Sequence, residues 1–87
     1  MAKYRKKPVV IEAFQYVKNM GEITYTIPMW FIYARNNGTV FSDDKNDYIK
    51  TLEGNHLISD GDFIIQGVKG EIYPCKENIF HLTYEKV

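Results

Sequence analysis

The chain has 87 residues, with 11 Lys and Arg against 11 Asp and Glu, so its formal net charge is zero and its length supports one domain with a modest core. A neutral total disfavours a general nucleic-acid binder, whose affinity comes largely from neutralising phosphates. A single cysteine excludes an internal disulfide, two histidines provide no set with zinc-ligand spacing, and no apolar run is long enough to cross a bilayer or serve as a signal peptide; a soluble intracellular protein is expected.

The charges are unevenly placed. Lys3, Arg5, Lys6 and Lys7 crowd the start, while Asp43, Asp44 and Asp47 crowd the middle. Residues 1–7 read as a flexible basic leader of a single domain spanning 1–87, able to touch a phosphate or an acidic surface or simply to keep the next strand solvated. Residues 8–17 are rich in β-branched and aromatic side chains and predict a strand. Glu12 shares a face there with Val10, Phe14 and Tyr16, so its carboxylate must be partnered, functional or at a wet margin. Residues 19–26 read as an irregular crossing.

Pro28, followed by Asn36-Asn37-Gly38, brackets a short helix over residues 27–35. Ile27, Trp30, Phe31 and Ala34 fall on one helical face suited to packing on a sheet. Met29, Ile32 and Tyr33 form a second apolar stripe. Such a helix is either covered on two sides or keeps an interface, and self-association through residues 29–33 is expected. Trp30, Tyr33 and Arg35 also have the chemistry to stack on a nucleobase.

Residues 38–42 suggest a strand and 43–47 an acidic turn. A hairpin over residues 48–59 turns near Glu53-Gly54-Asn55 in one of two registers, pairing either Ile49 with Ile58 or Leu52 with Leu57. His56 and His81 sit in no nucleophile or metal motif and read as surface or hydrogen-bonding residues. Ser59-Asp60-Gly61-Asp62 is a connecting turn, too poor in glycine to be a phosphate loop.

The segment from Gly61 to Lys76 reads as a second hairpin turning at Lys69-Gly70. This register pairs Gln66 with Tyr73, Ile65 with Pro74 and Ile64 with Cys75, and puts Phe63, Ile65 and Ile72 on one core face. Gln66, Glu71, Tyr73 and Cys75 then share the other face with Ile64 and Val68, which either lines a shallow ligand pocket or is an ordinary wet face. Lys76 beside Cys75 could lower the thiol pKa and make it reactive, although a buried cysteine is equally a small inert hydrophobe. Residues 76–81 predict a brief helix, with Ile79, Phe80, Leu82 and Tyr84 available to close the core. The expected class is α+β: a small bent antiparallel sheet or partly open barrel with one short helix and a C-terminal helical turn.

Three blocks together carry a family resemblance: Lys6-Lys7-Pro8-Val9-Val10-Ile11-Glu12-Ala13-Phe14-Gln15, Tyr48-Ile49-Lys50-Thr51-Leu52-Glu53-Gly54, and the closing segment from Gly61-Asp62-Phe63-Ile64-Ile65 through Cys75-Lys76 to Thr83-Tyr84-Glu85. In this order the chain resembles a family of small proteins from phages and prophages of Gram-positive bacteria, most of whose members have no assigned activity. Two turns depart from that pattern, with Glu77 or Asn78 where a Pro follows the Cys-Lys pair and Asp60 where a Pro precedes the Gly-Asp step. The resemblance implies no catalytic residues. It implies the cytoplasm of a bacterial host and a class of roles in which small phage proteins bind and disable host immunity, either an effector protein or the nucleotide-derived messenger that activates it.

No activated nucleophile, paired carboxylates or metal set is readable, which favours a non-enzymatic, cofactor-free binder over a weak hydrolase. The leading expectation is an oligomeric protein that sequesters a nucleotide-derived messenger, aromatic groups stacking on a base and Arg or Lys countering phosphate. Trp30, Tyr33, Arg35, Gln66, Tyr73 and Lys76 are the candidate ligand-binding residues. The alternative is a protein-binding inhibitor of a defence effector, or a structural accessory, using the apolar helix and a sheet edge.

Overall fold

The computed structural model describes residues 1–5, 7–18 and 27–87. In chain order these form β1 (Glu12–Gln15), α1 (Met29–Asn36), β2 (Val40–Ser42), β3 (Asp47–Thr51), β4 (Gly54–Ile58), β5 (Phe63–Gln66), β6 (Ile72–Cys75) and α2 (Glu77–Thr83). The strands make two separate antiparallel three-stranded sheets, ordered β1-β5-β6 and β2-β3-β4. The α+β class is as expected, but the sheets share no ladder and do not close into a barrel. The expected crossing at residues 19–26 and the leader residue Lys6 lie outside the described residues.

Both hairpins place their glycine after the turn rather than inside it. Thr51 pairs with Gly54 across Leu52-Glu53, and Gly54 takes the positive φ of 120° that the two turn residues avoid. The Thr51 hydroxyl accepts from Glu53 N at 3.1 Å and donates to the Gly54 carbonyl at 2.9 Å, fixing the turn from within. In the second hairpin Gly67 N donates to Glu71 O at 2.7 Å around Val68-Lys69-Gly70, with Gly70 at φ 86°. A short loop that ends in left-handed glycine is the common alternative to a two-residue turn centred on it.

The consequence is a register that differs from both expectations. Ile49 faces His56, not Ile58, and Leu57 faces Tyr48. In the second hairpin Ile65 faces Tyr73 and Ile64 faces Pro74, a slip of one residue that exchanges the faces of one strand relative to the other. Ile64 and Ile72 therefore share the inner face, while Phe63 and Ile65 lie on the opposite one. Because the Gly67–Glu71 pair is hydrogen-bonded, alternation makes Ile64–Pro74 a non-hydrogen-bonded pair, so the nitrogen of Pro74 faces the free edge of β6, where no donor is required.

β1 is shorter than the predicted strand. Tyr16 extends it through Tyr16 N to Asp62 O at 2.7 Å, but upstream of Glu12 its partner β5 has already turned into the hairpin loop. Val9 and Val10 are accordingly exposed. Pro28 caps α1 from just outside the helix, its carbonyl accepting from Phe31 N and Ile32 N. Arg35 O and Tyr33 O accept from Gly38 N and Asn37 N at the other end, with Gly38 at φ 87°.

The main core lies between α1 and the inner faces of both sheets. Tyr16, Phe31, Ala34, Val40, Ile49, Ile58, Ile64 and Ile72 are buried there, with Phe14, Ile27 and Trp30 packed against them. Phe31 has no exposure and meets Phe14 edge-on at 4.9 Å and Tyr16 at 6.2 Å between ring centroids. Beside it the Tyr16 hydroxyl donates to Asp47, which also accepts from Ser42, joining the end of β1 to β2 and β3. A smaller cluster forms on the other face of the first sheet, where Phe80 stacks on Phe63 at 4.0 Å and Tyr84 on Phe80 at 5.2 Å. Phe80 and Tyr84 thus pack as expected, whereas Ile79 and Leu82 are exposed because α2 presents only one side to the sheet.

Burial, reinforced by the Asp47 hydrogen bond, raises the pKa of Tyr16. A tyrosine in the unfolded chain titrates near pH 10, so the folded state holds this proton more tightly. Its contribution is fully present below about pH 10 and is lost as pH rises through the higher folded value. Tyr16→Phe is expected to lower stability at pH 8 by about 1–2 kcal/mol and to give a shallower alkaline loss of stability than the parent chain, measured by urea unfolding across pH 8 to pH 12.

Candidate functional site

An open cleft of about 920 Å³ lies where the inner faces of the two sheets diverge beside α1. One wall is α1, which brings Trp30 and Tyr33 to the cleft at i and i+3, above Ala34. The second sheet supplies Thr51 and His56, with His56 inward because it pairs with the buried Ile49. Gln66, Ile72 and Pro74 come from the first sheet. Leu52 and Glu53 form the rim at the β3-β4 turn.

Four of the candidate residues, Trp30, Tyr33, Gln66 and Tyr73, border this cleft, while Arg35 and Lys76 do not. Trp30 is half-buried and its indole Nε1 donates to Glu12 Oε1 at 3.1 Å, which supplies the partner that Glu12 required. Glu12 and Gln66 are directly opposite across β1 and β5, so the amide, the carboxylate and the indole form one polar edge. Tyr73 contributes mainly its strand, since its register turns the side chain toward α2. There it hydrogen-bonds Tyr84, and burial together with that bond pushes its pKa up to about 12.

The two basic candidates are engaged elsewhere. The Arg35 guanidinium lies 5.5 Å from the centroid of the Phe31 ring. Lys76 Nζ donates to Ser59 Oγ at 3.1 Å and to Asp62 Oδ1 at 3.3 Å. Asp62 is only 4% exposed and its other oxygen accepts from Ser59 N at 2.8 Å, so Lys76 offsets a buried carboxylate and ties the Ser59 turn to the start of α2. The thiol of Cys75 gains nothing from it. Burial first, and the Asp62 charge second, push the Cys75 pKa up, the reverse of the activation that Lys76 suggested.

Lys50 also borders the cleft, yet its side chain belongs to the outer face of the second sheet, where its ammonium stands 5.7 Å from the Phe41 ring centroid. Glu71 borders it in the same indirect way, its carboxylate folded over the β5-β6 loop to accept from Lys69 N at 3.4 Å. The side chains that reach the interior are therefore aromatic, amide, hydroxyl and imidazole groups. A second groove of about 560 Å³ lies between residues 9–13 and the C-terminal segment, where His81 packs edge-on against Phe63 at 5.2 Å. Among the described residues no group of His, Cys, Asp and Glu is placed to hold a metal ion, and no helix is long and apolar enough to cross a membrane.

His56, read from the sequence as a surface or hydrogen-bonding residue, is exposed and lines the cleft, a placement that the sequence reading did not foresee. Its inward position depends on the Leu52-Glu53 turn, and the signal for it was the Thr51-x-x-Gly54 spacing, in which glycine follows a turn begun by a hydroxyl residue. No protein-family model, no curated protein and no solved structure matches the chain.

Two measurements check this arrangement. Asp62→Ala is expected to lower stability by about 2 kcal/mol in urea unfolding, because Ser59 N and Lys76 both lose their acceptor. The Cys75 thiol is expected to react with a disulfide reagent at neutral pH several-fold more slowly in the folded protein than in urea, as a raised pKa lowers the thiolate fraction.

Proposed function

We propose that this chain is a non-enzymatic binding protein that captures a nucleotide-derived small molecule, base end first, in the cleft beside α1. The observation that carries the reading is that two aromatic side chains of α1, Trp30 and Tyr33, and the Gln66 amide border one open cleft. Stacking on such side chains contributes roughly 1–3 kcal/mol per base, and an amide can both donate to and accept from a base edge. Sequestration needs affinity and abundance only. Its biological setting follows from the resemblance to phage proteins: an anti-defence role in the cytoplasm of a bacterial host, holding a messenger that would otherwise activate an immune effector.

The chain also self-associates in this reading. Met29 on the outward stripe of α1 is 60% exposed, while Phe31 and Ala34 of the same helix are buried. A second copy covering that stripe removes apolar area from water without disturbing the core. If the occupant of this surface is instead a host protein, the chain is an inhibitor of a defence effector.

The two parts separate experimentally. Purified protein incubated with cyclic and linear nucleotide messengers and then heated is expected to release the captured compound intact, and Gln66→Ala is expected to lose most of the capture while remaining folded. Loss of the compound during incubation would indicate an enzyme; compound left free would favour a protein target. Met29→Lys is expected to lower the mass measured by light scattering to that of one chain. A parent chain already of that mass would reject self-association.

A further inference from the structure

Resting on that cleft reading, we propose that the site selects its ligand as a neutral planar heterocycle and takes no part in binding phosphate. Three of the described cationic groups near the cleft have other engagements. Lys50 is turned to the outer face over Phe41, Arg35 lies against Phe31, and Lys76 is held by Asp62 and Ser59. Carboxylates border the cleft instead, Glu53 at the β3-β4 turn and Glu71 at the β5-β6 loop.

A phosphate passing the rim meets Glu53, and the like charge opposes it. An uncharged base avoids that cost. It stacks on Trp30 or Tyr33, its edge exchanges hydrogen bonds with the Gln66 amide and with His56, and any ribose or phosphate it carries points out past Leu52 and Glu53 into solvent. The Glu12–Trp30 bond holds the indole in place at the α1 wall. Recognition therefore reads the base and tolerates the rest, so one site accepts a nucleoside and larger molecules that share its base.

Calorimetric titration of the full chain with adenosine, guanosine, cytidine and uridine, and with the 5′-mono- and triphosphates of each, tests this. The nucleoside that binds is expected to do so at least as tightly as its triphosphate, with a dissociation constant unchanged within about twofold between low and high salt. Lys50→Gln and Arg35→Gln are expected to leave it unchanged. Tyr33→Ala, at an exposed position outside the core, is expected to weaken it about tenfold or more. Glu53→Gln, which leaves the turn hydrogen bonds of Thr51 in place, is expected to narrow the gap between nucleoside and triphosphate. A triphosphate that binds about tenfold tighter than its nucleoside, and weakens with salt, overturns the selection while leaving capture in the cleft intact. Absence of binding by every nucleoside and nucleotide overturns the capture reading itself.

Discussion

The whole arrangement depends on one buried ring. Two three-stranded sheets that exchange no backbone hydrogen bonds must be held by side chains, and Phe31 is the side chain that reaches the aromatic residues of β1 while α1 continues into β2. The Tyr16–Asp47–Ser42 contact adds direction to this packing, because hydrogen bonds fix the relative placement of the sheets where dispersion alone would allow sliding. The shortness of the strands makes this coupling necessary. None of the described strands exceeds five residues, so neither sheet is large enough to be stable without the other.

The chemistry of the cleft follows from where the positive charge goes. The basic side chains near it are committed to the scaffold, since Lys76 offsets the buried Asp62, Arg35 covers Phe31, and Lys50 covers Phe41. The cleft is bordered by aromatic, amide, hydroxyl and imidazole groups, with Glu53 and Glu71 at its rim. In the reading proposed above, such a cleft discriminates by shape and by base edge, and its affinity has little dependence on ionic strength. The raised pKa of Cys75 fits the same picture, as the thiol is packed rather than presented.

Much of the fold was legible because its signals are local. The apolar spacing of Ile27, Trp30, Phe31 and Ala34 identified the inner face of α1, and the alternation around Phe63 to Cys75 identified a hairpin. Register was not legible from the rule that glycine centres a tight turn. Here Gly54 and Gly70 follow their turns, and the displacement moved Ile65 away from Ile72 and set His56 beside Ile49. The candidate site divided along the same line. Trp30, Tyr33 and Gln66 were recognisable by chemistry and periodicity, whereas the destinations of Arg35 and Lys76 depend on Phe31 and Asp62, contacts set by the folded packing that no local pattern encodes.

The absence of a backbone ladder between the sheets gives the mouth of the cleft an adjustable gauge. Ala34 borders the cleft, and Phe31 on the same helix is fully buried in the core shared by both sheets. A change of side-chain volume at Ala34 therefore alters the opening without unzipping any strand pair.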